Sequence, residues 1–298
     1  MNLIDLTNAE VDKLKTYDGA NGGKKSIFYQ GDRYMVKFPP SAPQNLKNSS
    51  YVNSCISEHV ACSIFNSLGI EAQQTFLANY TLNGKDKLVV ACKDFETDGF
   101  QLKNFIGIRN SCVSSNGTSI ELDDILQTIQ EQEIISPKLV EKRFWDMFIG
   151  DALLGNFDRH NGNWGFLVNL ETRETKLAPV FDCGSCLYSR LTDEEIENKV
   201  LKSQEEIDQR IYVFPPSALK MNGKKLNYHD FLEETNNQAC LRSLKSVFEK
   251  IDHSKIENIG EDCPISAVRK TFYLTMIHER AEKILNNALK HNPNVNFI

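Results

Sequence analysis

Three side chains carry a recognisable chemistry: Asp158 and Asn163 in Gly155-Asn156-Phe157-Asp158-Arg159-His160-Asn161-Gly162-Asn163-Trp164, and Asp182 in Phe181-Asp182-Cys183-Gly184-Ser185. A carboxylate and an amide oxygen converging on one point make the hard-oxygen pair that Mg²⁺ on a nucleotide phosphate requires, with water and phosphate oxygens completing the octahedron. A further carboxylate within reach can take the proton of an attacking hydroxyl. Phosphoryl transfer is the chemistry expected, with Asp158 as catalytic base and Asn163 and Asp182 as metal ligands. The bland alternative is that Asp158-Arg159-His160-Asn161-Gly162-Asn163 is a solvated turn, since Asn, Asp and Gly dominate turns. The second segment weighs against it, because two separate stretches then meet where one reaction needs both.

They meet only if an element joins them. Trp164 to Val168 and Leu177 to Phe181 are apolar runs of equal length around the polar Asn169-Leu170-Glu171-Thr172-Arg173-Glu174-Thr175. This pattern predicts an antiparallel hairpin. Asn163 begins the first strand and Asp182 follows the second, so both emerge at the same end. Asp158 lies five residues before Asn163, on the loop leading into the hairpin, which is also the Asp-to-Asn spacing of a kinase catalytic loop. Upstream, Ser136-Pro137 suits a helix start and Gly155 a helix stop, which predicts a helix running to about Leu154 with Phe144, Met147, Phe148 and Leu154 on its buried side.

The amino-terminal part supplies a second set. Asp18-Gly19-Ala20-Asn21-Gly22-Gly23-Lys24-Lys25-Ser26 is glycine-rich, and its backbone N–H groups can cover phosphates. Gly19, Ala20, Gly22, Gly23 and Lys25 are the nucleotide-binding candidates there. The stretch fails as a P-loop, because Gly19 stands one residue too close to Gly23-Lys24 and Lys25 occupies the place of the metal-binding Ser or Thr. Ser26 to Gln30 and Arg33 to Phe38 flank Gly31-Asp32 and predict a hairpin. Alternation puts Tyr34, Val36 and Phe38 on one face and Arg33, Met35 and Lys37 on the other. A helix follows, from Asn53 or Ser54 to Gly69, with Ile56, Val60, Ala61, Ile64, Phe65 and Leu68 on its apolar face and Glu58 at the edge. Lys37 then neutralises phosphate charge and Glu58 holds it in position; the competing readings are an exposed strand lysine and a helix-surface glutamate.

The strand-like Leu88 to Cys92 leads into the polar Lys93 to Gly99, which connects two regions of different character. The first, 1–95, reads as a small β-rich lobe; the second, 96–298, reads as a mostly helical lobe, including a long apolar stripe over 266–290 that is core. The Ser-, Asn- and Gly-rich 107–120 reads as a surface loop.

Asp158-Arg159-His160 with Asn163, together with Phe181-Asp182-Cys183-Gly184-Ser185, resembles the HipA-like branch of bacterial Ser/Thr kinases, whose catalytic lobe is also similar to phosphatidylinositol kinases. The resemblance covers the stretch from Gly19 to Ser26, Lys37, the Glu58 helix, the hinge near Ala91 to Phe95 and both catalytic segments. It implies an α+β, two-lobed protein-kinase-like fold and an ATP- and Mg²⁺-dependent kinase that also autophosphorylates. It implies Asp158, Lys37 and Glu58 in catalysis, and ATP contacts from Lys37, Ala91, Cys92, His160, Asn163 and Asp182. Through its secreted proinflammatory members it further implies a secreted virulence effector with a host protein as substrate. Two departures stand out. HipA-like toxins carry an additional amino-terminal subdomain, whereas fewer than 20 residues precede the glycine-rich stretch here. Cys183 also replaces the phenylalanine of the usual Asp-Phe-Gly.

Composition bounds the partners. The 298 residues carry a net charge of -6, which offers no clustered basic surface for nucleic acid or an anionic membrane. No basic leader followed by an apolar run opens the chain, and no stretch reaches the roughly 18 apolar residues of a membrane span, so a cytoplasmic protein is expected. The eight cysteines are scattered and read as free thiols, with Cys183 and Cys186 as small loop residues rather than half a zinc site. The rival functions are a phosphatidylinositol-type lipid kinase, disfavoured by the acidic balance, and a non-catalytic nucleotide-binding adaptor, disfavoured because no chemical group is missing.

Overall fold

The computed structural model describes residues 3–17, 23–39, 53–108 and 117–292. The expected glycine-rich contacts at Gly19, Ala20 and Gly22, and most of the loop within 107–120, lie outside them.

Six strands form one sheet: β1 (Ile4–Asp5), β2 (Glu10–Val11), β3 (Lys24–Tyr29), β4 (Asp32–Lys37) and, after helix α1 (Asn53–Ser67), β5 (Thr75–Leu82) and β6 (Lys85–Lys93). Their spatial order is β1-β5-β6-β4-β3-β2. The β3–β4 turn is one residue earlier than the sequence predicts. Its central residues are Gln30 and Gly31, both at positive φ (51° and 86°), and Asp32 already pairs with Tyr29. A two-residue turn of this hand needs positive φ at both centres. With Gly31 as the second centre, Asp32 is free to begin the strand.

The alternation along β4 holds. Val36 and Phe38 pack with Leu6, Ile27, Ala78, Tyr80, Val89 and Ala91 on the outer face, and Tyr34 lies against the same cluster. Met35 and Lys37 lie on the inner face, over which α1 packs against β5 and β6. The helix is buried along most of its length, Glu58 included. That burial separates Glu58 from an ordinary surface glutamate.

Beyond Lys93 the chain enters β7 (Phe100–Asn104), a strand the sequence reading did not assign. It pairs with β8 (Gly165–Asn169), which also pairs with β9 (Thr175–Leu177). The expected hairpin is thus the middle and edge of a three-stranded sheet. Its register also differs: Phe166 opposes Leu177, and regular pairing ends there rather than at Phe181. Between β7 and β8 lie α2 (Leu122–Glu131) and α3 (Pro137–Leu154). Pro137 starts α3, where its missing N–H removes no helical bond, and Gly155 caps the other end in the left-handed conformation at φ 63°.

The rest is helical: α4 (Asp193–Glu195), continued by a π turn over Ile196–Val200, α5 (Gln204–Tyr212), α6 (Tyr228–Glu234), α7 (Gln238–Phe248), α8 (His253–Glu261), α9 (Ala267–Arg280) and α10 (Asn287–His291). A short hairpin, β10 (Lys220–Met221) and β11 (Lys224–Lys225), interrupts them. The stripe read over 266–290 is core, with Phe272, Met276, Ile277, Ile284, Leu285 and Ala288 all buried. A curled β-sheet region followed by a helical part makes the chain an α+β protein of two-lobed, kinase-like architecture. No described helix is long and apolar enough to cross a membrane.

Candidate active site

A cleft of about 1040 Å³ opens between the inner face of the six-stranded sheet and the segments that carry Asp158 and Asp182. Lys24, Lys37, Glu58, Asp158, Asn163 and Asp182 are among the residues that line it. Lys37 reaches across. Its Nζ donates to Glu58 Oε2 on α1 and to Asp182 Oδ1 on the far side, both at 3.0 Å. Burial alone would lower the Lys37 pKa; the two carboxylates overcome that and hold it well above its ordinary value. Glu58 is pushed up by burial, which Lys37 only partly offsets. Asp182, 46% exposed on its side chain, is drawn down to about 2 by Lys37. The site therefore holds an ammonium and an ionised carboxylate facing solvent, with a desolvated carboxyl group behind them. Glu58 Oε1 is buried without a partner.

The hairpin alone does not bring Asp182 there, since β9 ends at Leu177. Two other features do. Val180 forms an isolated parallel bridge with Ala72, where Gln73 N donates to Val180 O and Val180 N to Glu71 O, each at 2.8 Å. Arg159 then ties the two catalytic segments together: Nη1 donates to Asn163 O at 2.9 Å and also to Phe181 O, while Nη2 lies 3.3 Å from Cys183 Sγ. Its charge is met by Asp151 near the end of α3, with Nε to Oδ2 at 2.9 Å. Arg159 and Asp151 are almost fully buried. The pairing keeps Arg159 charged against the opposing effect of burial.

The same brace shapes the Asp158 loop. Asn156 donates from Nδ2 to Asp151 Oδ1 at 2.8 Å and accepts at Oδ1 from Asp158 N at 3.0 Å, while Tyr228 Oη of α6 donates to Asn156 O at 2.7 Å. Asn163 Nδ2 donates to Asp158 O at 3.0 Å. Every one of these bonds uses backbone or amide atoms near Asp158, and its carboxylate has no partner among the described residues. The next segment approaches α1 closely. A Cβ on Gly184 would lie 3.2 Å from Glu58 Oε2 and 3.3 Å from Ser54 O, so glycine lets this turn sit against the helix that carries Glu58. Cys183, in the place of the usual phenylalanine, is fully buried. Thiol hydrogen bonds from Cys186 and Cys62, and then Arg159, hold its pKa well below the ordinary thiol value. The seven described cysteines are all free.

Of the residues singled out in the sequence, Lys37, Glu58, Asp158, His160, Asn163 and Asp182 share this cleft. Others do not. Lys25 turns to the opposite face of the sheet, donates to Tyr80 Oη at 2.7 Å and lies over the Phe38 and Tyr80 rings, because strand side chains alternate. Ala91 and Cys92 are fully buried inside β6, paired with Val36 and Met35; the neighbouring cleft wall is Val90, Asp94, Phe95 and Glu96. Gly23 sits just outside, donating no side chain and accepting at its carbonyl from Phe38 N. Sequence reasoning missed Lys24, which faces Lys37 across the β3–β4 pair; alternation carried across the hairpin from Lys37 puts it on that face. It also missed the brace of Asp151, Asn156 and Tyr228, for which the sequence carries no signal beyond polar residues on an apolar helix and next to a turn.

Comparison with known proteins gives the family of the chain. The HipA-like C-terminal domain family matches residues 12–264. The serine/threonine-protein kinase CtkA of Helicobacter pylori strain J99 is 47% identical over 292 residues, covering 97% of this chain and 88% of that protein. The crystal structure of a Helicobacter pylori proinflammatory kinase CtkA superposes with a TM-score of 0.92 at 45% identity, covering 99% of each chain. A more distant structure, HipA from Shewanella oneidensis MR-1 in complex with HipB and operator DNA, gives a TM-score of 0.57 at 13% identity over 95% of this chain and 70% of that one, and shares the fold. With a family match across residues 12–264 and a relative 47% identical over 97% of its length, this chain belongs to the family of the HipA-like C-terminal domain.

Proposed function

We propose a division of labour for the cleft of this chain, which is a serine/threonine protein kinase: ATP binds under the six-stranded sheet, and its γ-phosphoryl group passes to a protein hydroxyl held beside Asp158. The observation that carries this reading is Lys37, bonded at once to Glu58 and Asp182 from opposite walls, with the free carboxylate of Asp158 on the same cleft. Lys37 sits where it meets phosphate oxygens, and Glu58 keeps it extended into the cleft. Asp158 orients the attacking hydroxyl and takes its proton. A new bond forms between that oxygen and the γ-phosphorus, the bond to the β-phosphate oxygen breaks, and ADP leaves.

The donors fit Mg²⁺. Asp182 offers a carboxylate, and Asn163, whose amide nitrogen is engaged by Asp158 O, offers its remaining Oδ1. When bound, the ion neutralises charge on the phosphates. His160, exposed at the cleft and accepting at Nδ1 from Gly162 N at 3.0 Å, stands at the phosphate side of the same loop. We place the lobe boundary at residues 95 and 96, where the sheet gives way to the polar connector. By its likeness to a proinflammatory kinase, we assign a host protein as substrate, secretion as the route to it, and autophosphorylation as a side reaction.

The test is incubation of the purified chain with labelled ATP, generic protein substrates and phosphoinositide vesicles, with and without Mg²⁺. Label in protein serine or threonine that disappears in EDTA is the expected result. Label in lipid alone would identify a lipid kinase, and binding without transfer an adaptor.

A further inference from the structure

The helices beyond residue 200 carry none of the groups assigned to the reaction, yet one of them reaches the Asp158 loop. Asn156 stands two residues before Asp158 and is fully buried. All four of its polar groups are bonded. Its N donates to Asp151 O at 3.0 Å and its Nδ2 to Asp151 Oδ1 at 2.8 Å, while its Oδ1 accepts from Asp158 N at 3.0 Å. Those three bonds stay within residues 151–158. The fourth, from Tyr228 Oη to Asn156 O at 2.7 Å, comes from α6, 72 residues further along the chain.

The end of α3 that leads into this loop is held from the same direction. The last four carbonyls of a helix have no partner inside it. Here Ala152 O accepts from Arg280 Nε of α9 at 2.7 Å, and the Arg280 guanidinium lies 5.9 Å from the centre of the Tyr228 ring. Tyr228 is fully buried and packs against Phe148 of α3, with ring centres 5.2 Å apart. The packed ring fixes where its hydroxyl stands, and the hydroxyl fixes the Asn156–Phe157 peptide. The direction of the Asp158 carboxylate depends on that peptide. Asp158 is held through its backbone, with N donating to Asn156 Oδ1 and O accepting from Asn163 Nδ2, and no side chain among the described residues holds its carboxylate. A proton acceptor works only within hydrogen-bond reach of the attacking hydroxyl, and a misplacement of about 1 Å lowers rates on the order of 10²-fold.

We propose that Tyr228 is a positioning residue: through its bond to Asn156 O it aims the Asp158 carboxylate at the acceptor hydroxyl, which brings the helical part into the active site. The proposal rests on the reading of Asp158 as the base. It is tested with wild type, Tyr228→Phe, Asp158→Asn and the double variant, by single-turnover phosphotransfer to a generic protein substrate, titration with a non-hydrolysable ATP analogue, and melting temperature. Rates are expressed per analogue-binding site, so that misfolded protein drops out. Loss of one buried hydrogen bond predicts that Tyr228→Phe lowers transfer ~10-fold at saturating ATP and substrate. Analogue affinity stays within about twofold of wild type, and the melting temperature falls by only a few degrees. In the Asp158→Asn background the same change lowers the residual rate by less than about twofold, because the group it aims is gone. An unchanged rate in Tyr228→Phe overturns the proposal. So does a loss of transfer matched by a loss of analogue affinity, or one equally large in the Asp158→Asn background; either makes Tyr228 a purely structural residue. Full transfer by Asp158→Asn overturns the base itself and Tyr228 with it, an outcome distinct from an Asp158→Asn loss that Tyr228→Phe does not share.

Discussion

Arg159 is a buried cation and Lys37 a half-buried one; both reach the Asp182 segment, and they do so in opposite ways. Arg159 is enclosed: its guanidinium is met by Asp151, Asn163 O and Phe181 O, all inside the protein. Lys37 lines the cleft, and one of its two partners, Asp182, keeps 46% of its side chain exposed. A guanidinium satisfied by fixed acceptors stores geometry, since its planar fork admits few other arrangements. An ammonium on a flexible stem, paired with a carboxylate that solvent can reach, exchanges partners when a better anion arrives. The first is a brace between the Asp158 and Asp182 segments, and the second has the setting that the proposed phosphate contact requires. The difference shows how two charges of the same sign that reach the same segment are held in different ways, one enclosed and one lining the cleft.

The comparison can be broken most forcefully at Asp151. Asp151→Ala leaves Arg159 buried and uncompensated, so unfolding in urea is expected to show a loss of about 3–5 kcal/mol. A loss under ~1 kcal/mol would mean that the brace relaxes into water, and the contrast with Lys37 would fail. The next effect is on turnover alone. Asp158→Asn keeps every backbone bond of its loop, so affinity for a non-hydrolysable ATP analogue should stay near wild type while single-turnover phosphotransfer falls on the order of 10²-fold or more. Binding and turnover falling together would make Asp158 a metal or structural ligand.

At Lys37 the expectation is intermediate and reversed in kind. Lys37→Ala should weaken the ATP analogue by ~10- to 100-fold, with a smaller drop in melting temperature than Asp151→Ala. Glu58, whose pKa burial already raises, can take up a proton once its partner is gone. Equal damage to stability and binding would make Lys37 a second brace. The smallest effect is in the pH dependence of the nucleotide-free protein in EDTA. The folded-state pKa of Asp182 lies below its ordinary value of 3.8, at about 2. Its contribution to stability is therefore present above the unfolded-state pKa and is lost as pH falls through about 2. Asp182→Asn should flatten this part of the acid limb in a urea titration between about pH 4 and pH 2. An unchanged acid limb would show that Asp182 and Lys37 do not interact in solution.

Much of this molecule was written locally. Helix α3 begins at Pro137 and ends at Gly155 because those residues suit a first turn and a left-handed cap whatever surrounds them. The face of β4 that carries Lys37 follows from strand alternation alone. That Asp158, Asn163 and Asp182 share one cleft was legible because their residue types and spacing suit one reaction. Tertiary structure decided the rest. A turn shifted by one residue set the β3–β4 register and put Lys24, rather than Ser26, directly opposite Lys37. The position of Asp182 came from Arg159 and the Ala72–Val180 bridge rather than from hairpin pairing. The Lys37–Glu58 pair was expected from the sequence, but the burial that desolvates Glu58 beside Lys37 came only from the packing of α1. The physical reason is common to all three. Periodicity and propensity act over a few residues, whereas desolvation and the pairing of charges depend on which distant segments arrive at the same place.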